Sequence, residues 1–317
     1  MKLIFCILFF LTALFSNEFT TLPLKTKYHT ATLIYQTVPN ASKAILYIHG
    51  FNDYFFNEAF AQKFIEKGYS FFAIDLHHYG RNLTPTSKPY YFEDIKEFDE
   101  EINLAIRTIK EDFHMPDLTL YGYSQGALIA TLYAYRYGLI DRLILDSAFF
   151  DFYFDSWIEN IALPAVAFLG KWFPSFKISS TSPNVFAQSL HQSFNGEWEF
   201  DLNLKATHTN APIYLGWIHA IYEAQQIIHN KIDLNLPVLS LYSNVSYKED
   251  SPKEWHFKGD IVLDVKDIKR YSNHLNKNAS LTVHKVIPDA MHGVTFSKEH
   301  VRQKAYDEIF FWLKTTN

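Results

Sequence analysis

The sequence predicts an α/β fold, with a mainly parallel central sheet that is flanked by helices and interrupted by a mostly helical cap. Short apolar runs alternate with amphipathic stretches of a dozen or more residues, which is the pattern of βαβ units. The alternation stops near Ala148 and resumes at Pro237. We therefore predict a core of residues 17–148 and 237–317 and an inserted cap of residues 149–236.

Each predicted strand of the core is a short, mainly apolar run. The pattern occurs four times before the interruption and twice after it, at residues 44–48, 69–74, 118–121, 143–145, 238–242 and 281–287. Between the strands, apolar residues at helical spacing predict helices at residues 57–67, 94–113, 125–137 and 301–313. The same spacing predicts two cap helices, at residues 158–172 and 213–229.

Composition narrows the classes of function. Hydrophobic residues at 48% and charged residues at 20% exclude intrinsic disorder, and a net charge of −5 offers no cationic surface for nucleic acid. Aromatic residues make up 17% of the chain and are densest at residues 149–157, where the cap begins. An apolar cap suits an acyl chain and would allow transient contact with a membrane surface. The composition does not define an oligomeric state.

The first sixteen residues have the pattern of a signal peptide. Lys2 precedes thirteen residues that are apolar apart from Cys6 and Thr12, and Ser16 is the small residue expected before a cleavage site. The pattern predicts an exported protein, periplasmic or secreted; the alternative is a buried N-terminal segment of a cytoplasmic protein. Cys6 is the only cysteine, so an intrachain disulfide is excluded.

The strand at residues 118–121 leads into Gly122-Tyr123-Ser124-Gln125-Gly126 and then directly into a helix. This is the G-x-S-x-G nucleophile elbow in its required strand–turn–helix context. The turn is strained and raises the serine hydroxyl above the sheet edge, while side chains in place of the two glycines would collide with neighbouring backbone. We therefore predict Ser124 as a nucleophile.

A serine nucleophile needs a base and an acid that orients the base, in the chain order serine, acid, histidine. His292 lies in a loop just past the strand at residues 281–287 and is the predicted base. Asp260 is the preferred acid because it follows the strand at residues 238–242 and precedes an apolar pair. Asp264 and Asp146 remain alternatives, the latter because it ends another strand.

His49-Gly50-Phe51 follows the first predicted strand, which is a usual position for half of an oxyanion hole. The backbone N–H groups of Phe51 and Gln125 are the predicted donors, and His49 is expected to have a structural role. We predict no cofactor and no metal site. His77 and His78 are adjacent after a strand, where alternate side chains point apart, so we expect no chelation by them.

With these motifs in order, the chain resembles the α/β-hydrolase superfamily, and within it the group of monoglyceride lipases, lysophospholipases and serine aminopeptidases. The resemblance covers residues 28–148 and 237–315 and is carried by IHGFNDYFF, DLHHYGRN, GYSQG and GDIVLD. It implies an α/β-hydrolase core with Ser124, Asp260 and His292 as the triad. The chain departs from its relatives at Asn82, where serine is common. No family motif covers the cap.

Three functions are compatible with the sequence. The first is hydrolysis of lipophilic carboxylic esters of the monoacylglycerol or lysophospholipid type, a small-molecule substrate that the aromatic cap would suit. The second is a serine aminopeptidase with the same triad. It would need cap carboxylates to hold a free α-amino group, and the candidates are Glu159, Glu197, Glu199 and Glu223. The third is a catalytically silent binding protein, against which the complete set of motifs argues.

Overall fold

The computed structural model describes residues 18–251 and 253–316. The predicted signal peptide at residues 1–16, with Cys6, lies outside these ranges. The described strands are β1 (Thr20–Lys25), β2 (Thr30–Gln36), β3 (Lys43–Ile48), β4 (Ser70–Asp75), β5 (Asp117–Tyr123), β6 (Arg142–Asp146), β7 (Lys177–Ile178), β8 (Ile213–Tyr214), β9 (Val238–Ser243) and β10 (Thr282–Ile287). The described α-helices are α1 (Glu58–Ile65), α2 (Asp99–Arg107), α3 (Gln125–Tyr137), α4 (Leu163–Trp172), α5 (Val185–Leu190), α6 (Leu215–His229), α7 (Val265–Ser272) and α8 (Glu299–Thr315).

Eight strands form one sheet in the order β1-β2-β4-β3-β5-β6-β9-β10. Every neighbouring pair from β4 to β10 is parallel, whereas β2 is antiparallel to both β1 and β4. The mainly parallel sheet of the predicted α/β fold is therefore confirmed, and each of the six predicted strands is present. The β1–β2 pair was not predicted, because β1 is exposed along most of its length and lacks a continuous apolar run.

Helices cover both faces of the sheet. On one face α2, α3, α6 and α7 pack over an apolar cluster that includes Ile102 and Leu128. On the other face α1 and α8 cover a second cluster that includes Phe60 and Trp312. The predicted helix at residues 94–113 consists of α2 with a 3-10 turn before it, Ile95–Phe98, and a π turn after it. Because the strands are parallel, the loops after β3, β5, β9 and β10 meet at one sheet edge.

The chain leaves the sheet after β6 and returns to it at β9. We call the intervening residues 147–237 the insertion. It contains α4, α5 and α6 and the two-stranded β7–β8 ribbon. Helices α4 and α6 approach so closely that a Cβ on Gly170 would lie 2.1 Å from the carbonyl oxygen of Leu215. The division into separate core and cap domains stays a prediction. Among the described residues, no helix combines the length and the apolar character that a membrane span requires.

Candidate active site

The turn between β5 and α3 places Ser124 at the sheet edge with a backbone φ of +54°. A positive φ is strained for a non-glycine residue and is typical of functional turns. Both flanking glycines are required by space. A Cβ on Gly122 would lie 2.5 Å from the Cα atom of Ala127, and one on Gly126 would lie 2.3 Å from the carbonyl oxygen of Ile48. The local sequence thus permits this turn and few others.

Ser124, His292 and Asp260 form one hydrogen-bonded chain. The Nε2 atom of His292 lies 2.9 Å from the Ser124 hydroxyl oxygen, and its Nδ1 atom lies 2.9 Å from Oδ2 of Asp260. All three residues are buried. Because a carboxylate accepts, Nδ1 carries the proton and Nε2 is left to accept the serine proton. The structure therefore brings the three predicted triad residues together in a geometry suited to proton transfer.

Asp260 is held by its own loop. Its Oδ1 atom accepts the backbone N–H groups of Val262 and Leu263, both at 2.8 Å. Its backbone N–H donates to the carbonyl oxygen of Val245, and its carbonyl oxygen accepts the N–H of Tyr247. These bonds leave Oδ2 free for His292, so the loop fixes the direction of the carboxylate.

Neither alternative acid contacts His292. Asp146 is fully buried and accepts hydrogen bonds from the Tyr121 hydroxyl and from the backbone of Val294 and Thr295. Burial raises its pKa, although these hydrogen bonds oppose the increase. Asp264 is the N-cap of α7 and accepts the backbone N–H of Lys266. Asp146 therefore anchors the turn that follows His292, and Asp264 begins a helix.

The two predicted oxyanion donors follow β3 and β5. Within the described residues, the backbone N–H groups of Phe51 and Gln125 donate to no acceptor. His49 lies beside them but has both ring nitrogens engaged. Its Nε2 accepts the N–H of Leu76 at 3.1 Å, so its Nδ1 donates to the carbonyl oxygen of Gly50 at 2.8 Å. His49 thus connects the ends of β3 and β4.

Two polar residues after Phe51, which the sequence did not single out, tie this loop to the insertion. Asn52 exchanges two hydrogen bonds with the backbone of Ala206, at 2.8 and 2.9 Å. Asp53 forms a buried ion pair with Lys205, with Nζ 2.6 Å from Oδ1. The sequence signal for this role is weak, namely a polar Asn-Asp pair in the loop after a buried strand, because the partners lie about 150 residues away.

A cavity of about 440 Å³ opens onto Ser124 and His292 between the sheet edge and the insertion. Most of its lining is apolar or aromatic, namely Phe51, Tyr123, Tyr153, Phe154, Phe186, Ala187, Ile213, Ile261 and Val262. The charged residues in its wall are Lys205, Lys248 and Glu249. Lys205 is neutralised by Asp53, so the cavity has little net charge.

One expectation about histidine side chains is wrong. The residues after β4 form a turn, and His78 has a φ of +61°. As a result the rings of His77 and His78 do not point apart but have centroids 5.1 Å from each other, and His29 stacks on His77 at 3.9 Å. The alternation of side chains ends with β4 at Asp75, so it does not apply to His77 and His78.

Part of the sequence matches the model of a known protein family. The family model described as serine aminopeptidase, S33, matches residues 39–246, which include Ser124 but neither Asp260 nor His292. None of the curated proteins matches the sequence significantly.

Solved structures resemble the chain over nearly its whole length. A soluble variant of monoglyceride lipase from Saccharomyces cerevisiae, in complex with a substrate analogue, has a TM-score of 0.71 at 15% identity, covering 94% of this chain and 95% of that one. The monoacylglycerol lipase of Paleococcus ferrophilus has a TM-score of 0.65 at 14% identity, covering 90% and 98%. A thermostable carboxyl esterase from Bacillus coagulans, in complex with glycerol, has a TM-score of 0.65 at 15% identity, covering 94% and 99%. At these identities the likeness establishes the α/β-hydrolase fold, and the predicted fold is confirmed.

Proposed function

The chain belongs to the serine aminopeptidase S33 family of α/β hydrolases, and from that membership we propose that it is a serine hydrolase that cleaves carboxylic esters of lipophilic acyl substrates. The observation that carries the proposal is the hydrogen-bonded chain Ser124–His292–Asp260 at the wall of a largely apolar cavity. A hydroxyl aligned on a buried imidazole is the arrangement that activates serine as a nucleophile.

In the proposed reaction, Oγ of Ser124 attacks the ester carbonyl carbon while its proton passes to Nε2 of His292. The carbonyl oxygen becomes an oxyanion, which the N–H groups of Phe51 and Gln125 stabilise. Collapse of this intermediate breaks the ester bond, and the departing alcohol takes the proton from His292. Water then hydrolyses the acyl-enzyme by the same steps. Asp260 holds the imidazole in its tautomer and stabilises the imidazolium.

The proposed substrate class follows from the cavity. Its aromatic and aliphatic residues favour an acyl chain, and the charges in its wall offset one another, which disfavours a highly charged ligand. The structurally similar proteins include a monoglyceride lipase, a monoacylglycerol lipase and a carboxyl esterase. A monoacylglycerol fits both observations, and a lysophospholipid, which the sequence resemblance also allows, has the same kind of acyl chain.

A serine aminopeptidase is the second candidate, because the matching family model has that description. It would need a carboxylate near Ser124 to hold the substrate ammonium group. None of the four glutamates predicted for that role lines the cavity; Glu197, for example, pairs with Arg302 and Lys298 at the surface. The carboxylate that does line it, Glu249, is next to Lys248. These charges favour the ester hydrolase.

Substrate preference separates the two candidates. Purified protein would be assayed with p-nitrophenyl esters of increasing acyl length and with aminoacyl-anilides, using Ser124→Ala as the control. We expect turnover of the esters that increases with chain length and is lost in the variant. Turnover of the anilides alone would support the aminopeptidase, and no turnover of either class would support a silent binding protein.

The proposal includes transient contact of the insertion with a membrane surface. Around α4 the insertion exposes large apolar side chains, namely Phe154, Trp157, Ile161, Phe168, Trp172, Phe173 and Phe176. Exposed apolar patches of this kind mark sites of interaction, and aromatic rings favour the membrane interface. Export, proposed from residues 1–16, is compatible with such a surface.

Vesicle sedimentation tests this contact. We expect the protein to bind phosphatidylcholine vesicles and the double variant Trp172→Ser/Phe173→Ser to bind them less, with unchanged turnover of a soluble short-chain ester. Phe311→Ser is the matched control, because Phe311 lies on α8 and is as exposed as Phe173, at 63%. Equal loss of binding in the control would contradict a specific role of the insertion.

A further inference from the structure

Three histidines meet at the sheet edge where β4 ends, outside the candidate triad. His29 directly precedes β2, and His77 and His78 follow β4. Each offers one ring nitrogen, and these atoms all lie within 4.8 Å of one another. The left-handed backbone of His78 turns its ring toward the other two. Such a conformation is uncommon for a residue other than glycine and needs support from its surroundings.

The central ring, that of His77, is oriented by a buried carboxylate. Its Nδ1 atom lies 2.6 Å from Oε1 of Glu101, and its backbone N–H donates to Oε2 of the same residue. Both residues are buried. The Nε2 atom of His77 is also buried, and it has no hydrogen-bond partner among the described residues. The nearest charged atom is Oε2 of Glu97, at 3.7 Å. A histidine bound through one nitrogen to a carboxylate, with its other nitrogen free, is the usual arrangement of a metal ligand.

We propose that His29, His77 and His78 bind one divalent transition-metal ion, with Glu101 as the outer partner that orients His77. Three imidazoles without thiolates or a ring of carboxylates suit zinc, with a water molecule as the fourth ligand. Ideal tetrahedral zinc–nitrogen bonds hold the donor atoms about 3.4 Å apart. Binding therefore requires the donor atoms to come closer than in this structure, and the His29 ring, which stacks parallel on His77, must turn its nitrogen toward the ion. Both His29 and His78 are partly exposed.

The position of the cluster means that a bound ion would also stabilise the fold. It would join the residue before β2 to the turn after β4 and, through Glu101, to α2. These segments are far apart in the unfolded chain, so an ion that binds only the folded state stabilises it.

Zinc titration of the full chain tests the proposal. The protein, without a histidine tag and stripped of metal by a chelator, would be titrated with Zn²⁺ by calorimetry and melted with and without the ion. We expect one ion per chain and a higher melting temperature, both lost in His29→Ala/His78→Ala. Glu101→Gln should weaken binding by about 10–100-fold. The double variant His114→Ala/His208→Ala, at two exposed histidines, should bind like the wild type.

Absorption-edge spectroscopy of zinc on the wild-type protein keeps the test independent of the variants' folding. Three imidazole ligands are expected in the first shell. A shell of oxygen atoms alone would overturn the proposal, as would the absence of stoichiometric binding or unchanged affinity in a folded His29→Ala/His78→Ala variant.

Discussion

Two regions of the molecule differ in how their side chains are paired. They are the sheet edge that carries Ser124 and the insertion that faces it. At the edge, His292 and Asp260 are buried, and each atom needed for proton transfer has a partner within 3 Å. In the insertion, large aromatic side chains are left in solvent; Trp157 and Trp172, for example, are exposed by 64% and 65%. The edge thus pairs its polar groups within the described residues, whereas the outer surface of the insertion exposes apolar side chains to solvent.

The two regions nevertheless meet at the residues that would stabilise an oxyanion. Asn52 and Asp53 follow Phe51 and bind Ala206 and Lys205 of the insertion. The indole N–H of Trp217 donates to the side chain of Gln125 at 2.7 Å. The insertion therefore contacts both predicted donor segments, and a change at Lys205, Ala206 or Trp217 should alter turnover as well as substrate binding.

The largest expected effect comes from a substitution at the sheet edge that leaves the insertion unchanged. Ser124→Ala removes the proposed nucleophile, and kcat should fall by about 10⁴–10⁶-fold. The melting temperature should stay close to that of the wild type, since the hydroxyl makes its side-chain contact with His292. Steady-state kinetics and calorimetry measure the two quantities. Activity that survives the substitution would contradict the mechanism.

The next largest effect distinguishes the roles of two buried aspartates at the edge, Asp260 and Asp146. Asp260→Asn should lower kcat by about 10⁴-fold, because the amide can no longer hold the imidazole in its working tautomer. Asp146→Asn should act mainly on stability, because Asp146 accepts several buried hydrogen bonds around Val294 and Thr295. Kinetics and thermal melts of both variants check this. The assignment fails if Asp146→Asn abolishes turnover in a protein of normal stability while Asp260→Asn remains active.

These two aspartates also mark the limit of what the sequence could predict. The alternation of apolar runs predicted six parallel strands, and Gly122 and Gly126 predicted the elbow because their constraints are local. The choice between Asp146 and Asp260 depends on which side-chain oxygen faces His292 across 32 or more residues. Sequence spacing carries no such information, so both had to stay open.

The contacts of the insertion were beyond prediction for a similar reason. The pairing of Asp53 with Lys205 joins residues 152 positions apart. The approach of the His78 ring to His77 depends on a positive φ at His78. The density of aromatic residues predicted where the insertion begins, but not which of its aromatic side chains are buried. Phe150 is buried, whereas Trp157 a few positions later is exposed.

A smaller effect is expected where the edge joins the insertion. Lys205→Met leaves Asp53 charged and unpaired in the interior, which should lower the free energy of unfolding by about 3–5 kcal/mol. It should also lower kcat, because the loop that carries Phe51 loses its anchor. The double variant Asp53→Asn/Lys205→Met removes the stranded charge and should regain part of the stability in denaturant titrations. A single variant as stable and active as the wild type would show that the ion pair does not couple the regions.

The smallest expected effect concerns Asp267 and the acidic residues around it. Burial, followed by repulsion from Asp151, Asp264 and Glu159, raises the pKa of Asp267 to about 6. Because this folded-state pKa lies above the ordinary value of 3.8, the folded protein holds the proton more tightly than the unfolded chain. The resulting stabilisation is present below pH 4 and is lost as the pH rises toward 6.

Asp267→Asn removes the charge, so the variant should melt above the wild type at pH 7 and show no such advantage at pH 4. Since the side chain is partly exposed, the difference should be small and should shrink further in high salt. A wild type that melts above the variant at pH 7 would mean that the attraction of Asp267 to Arg270 outweighs this repulsion.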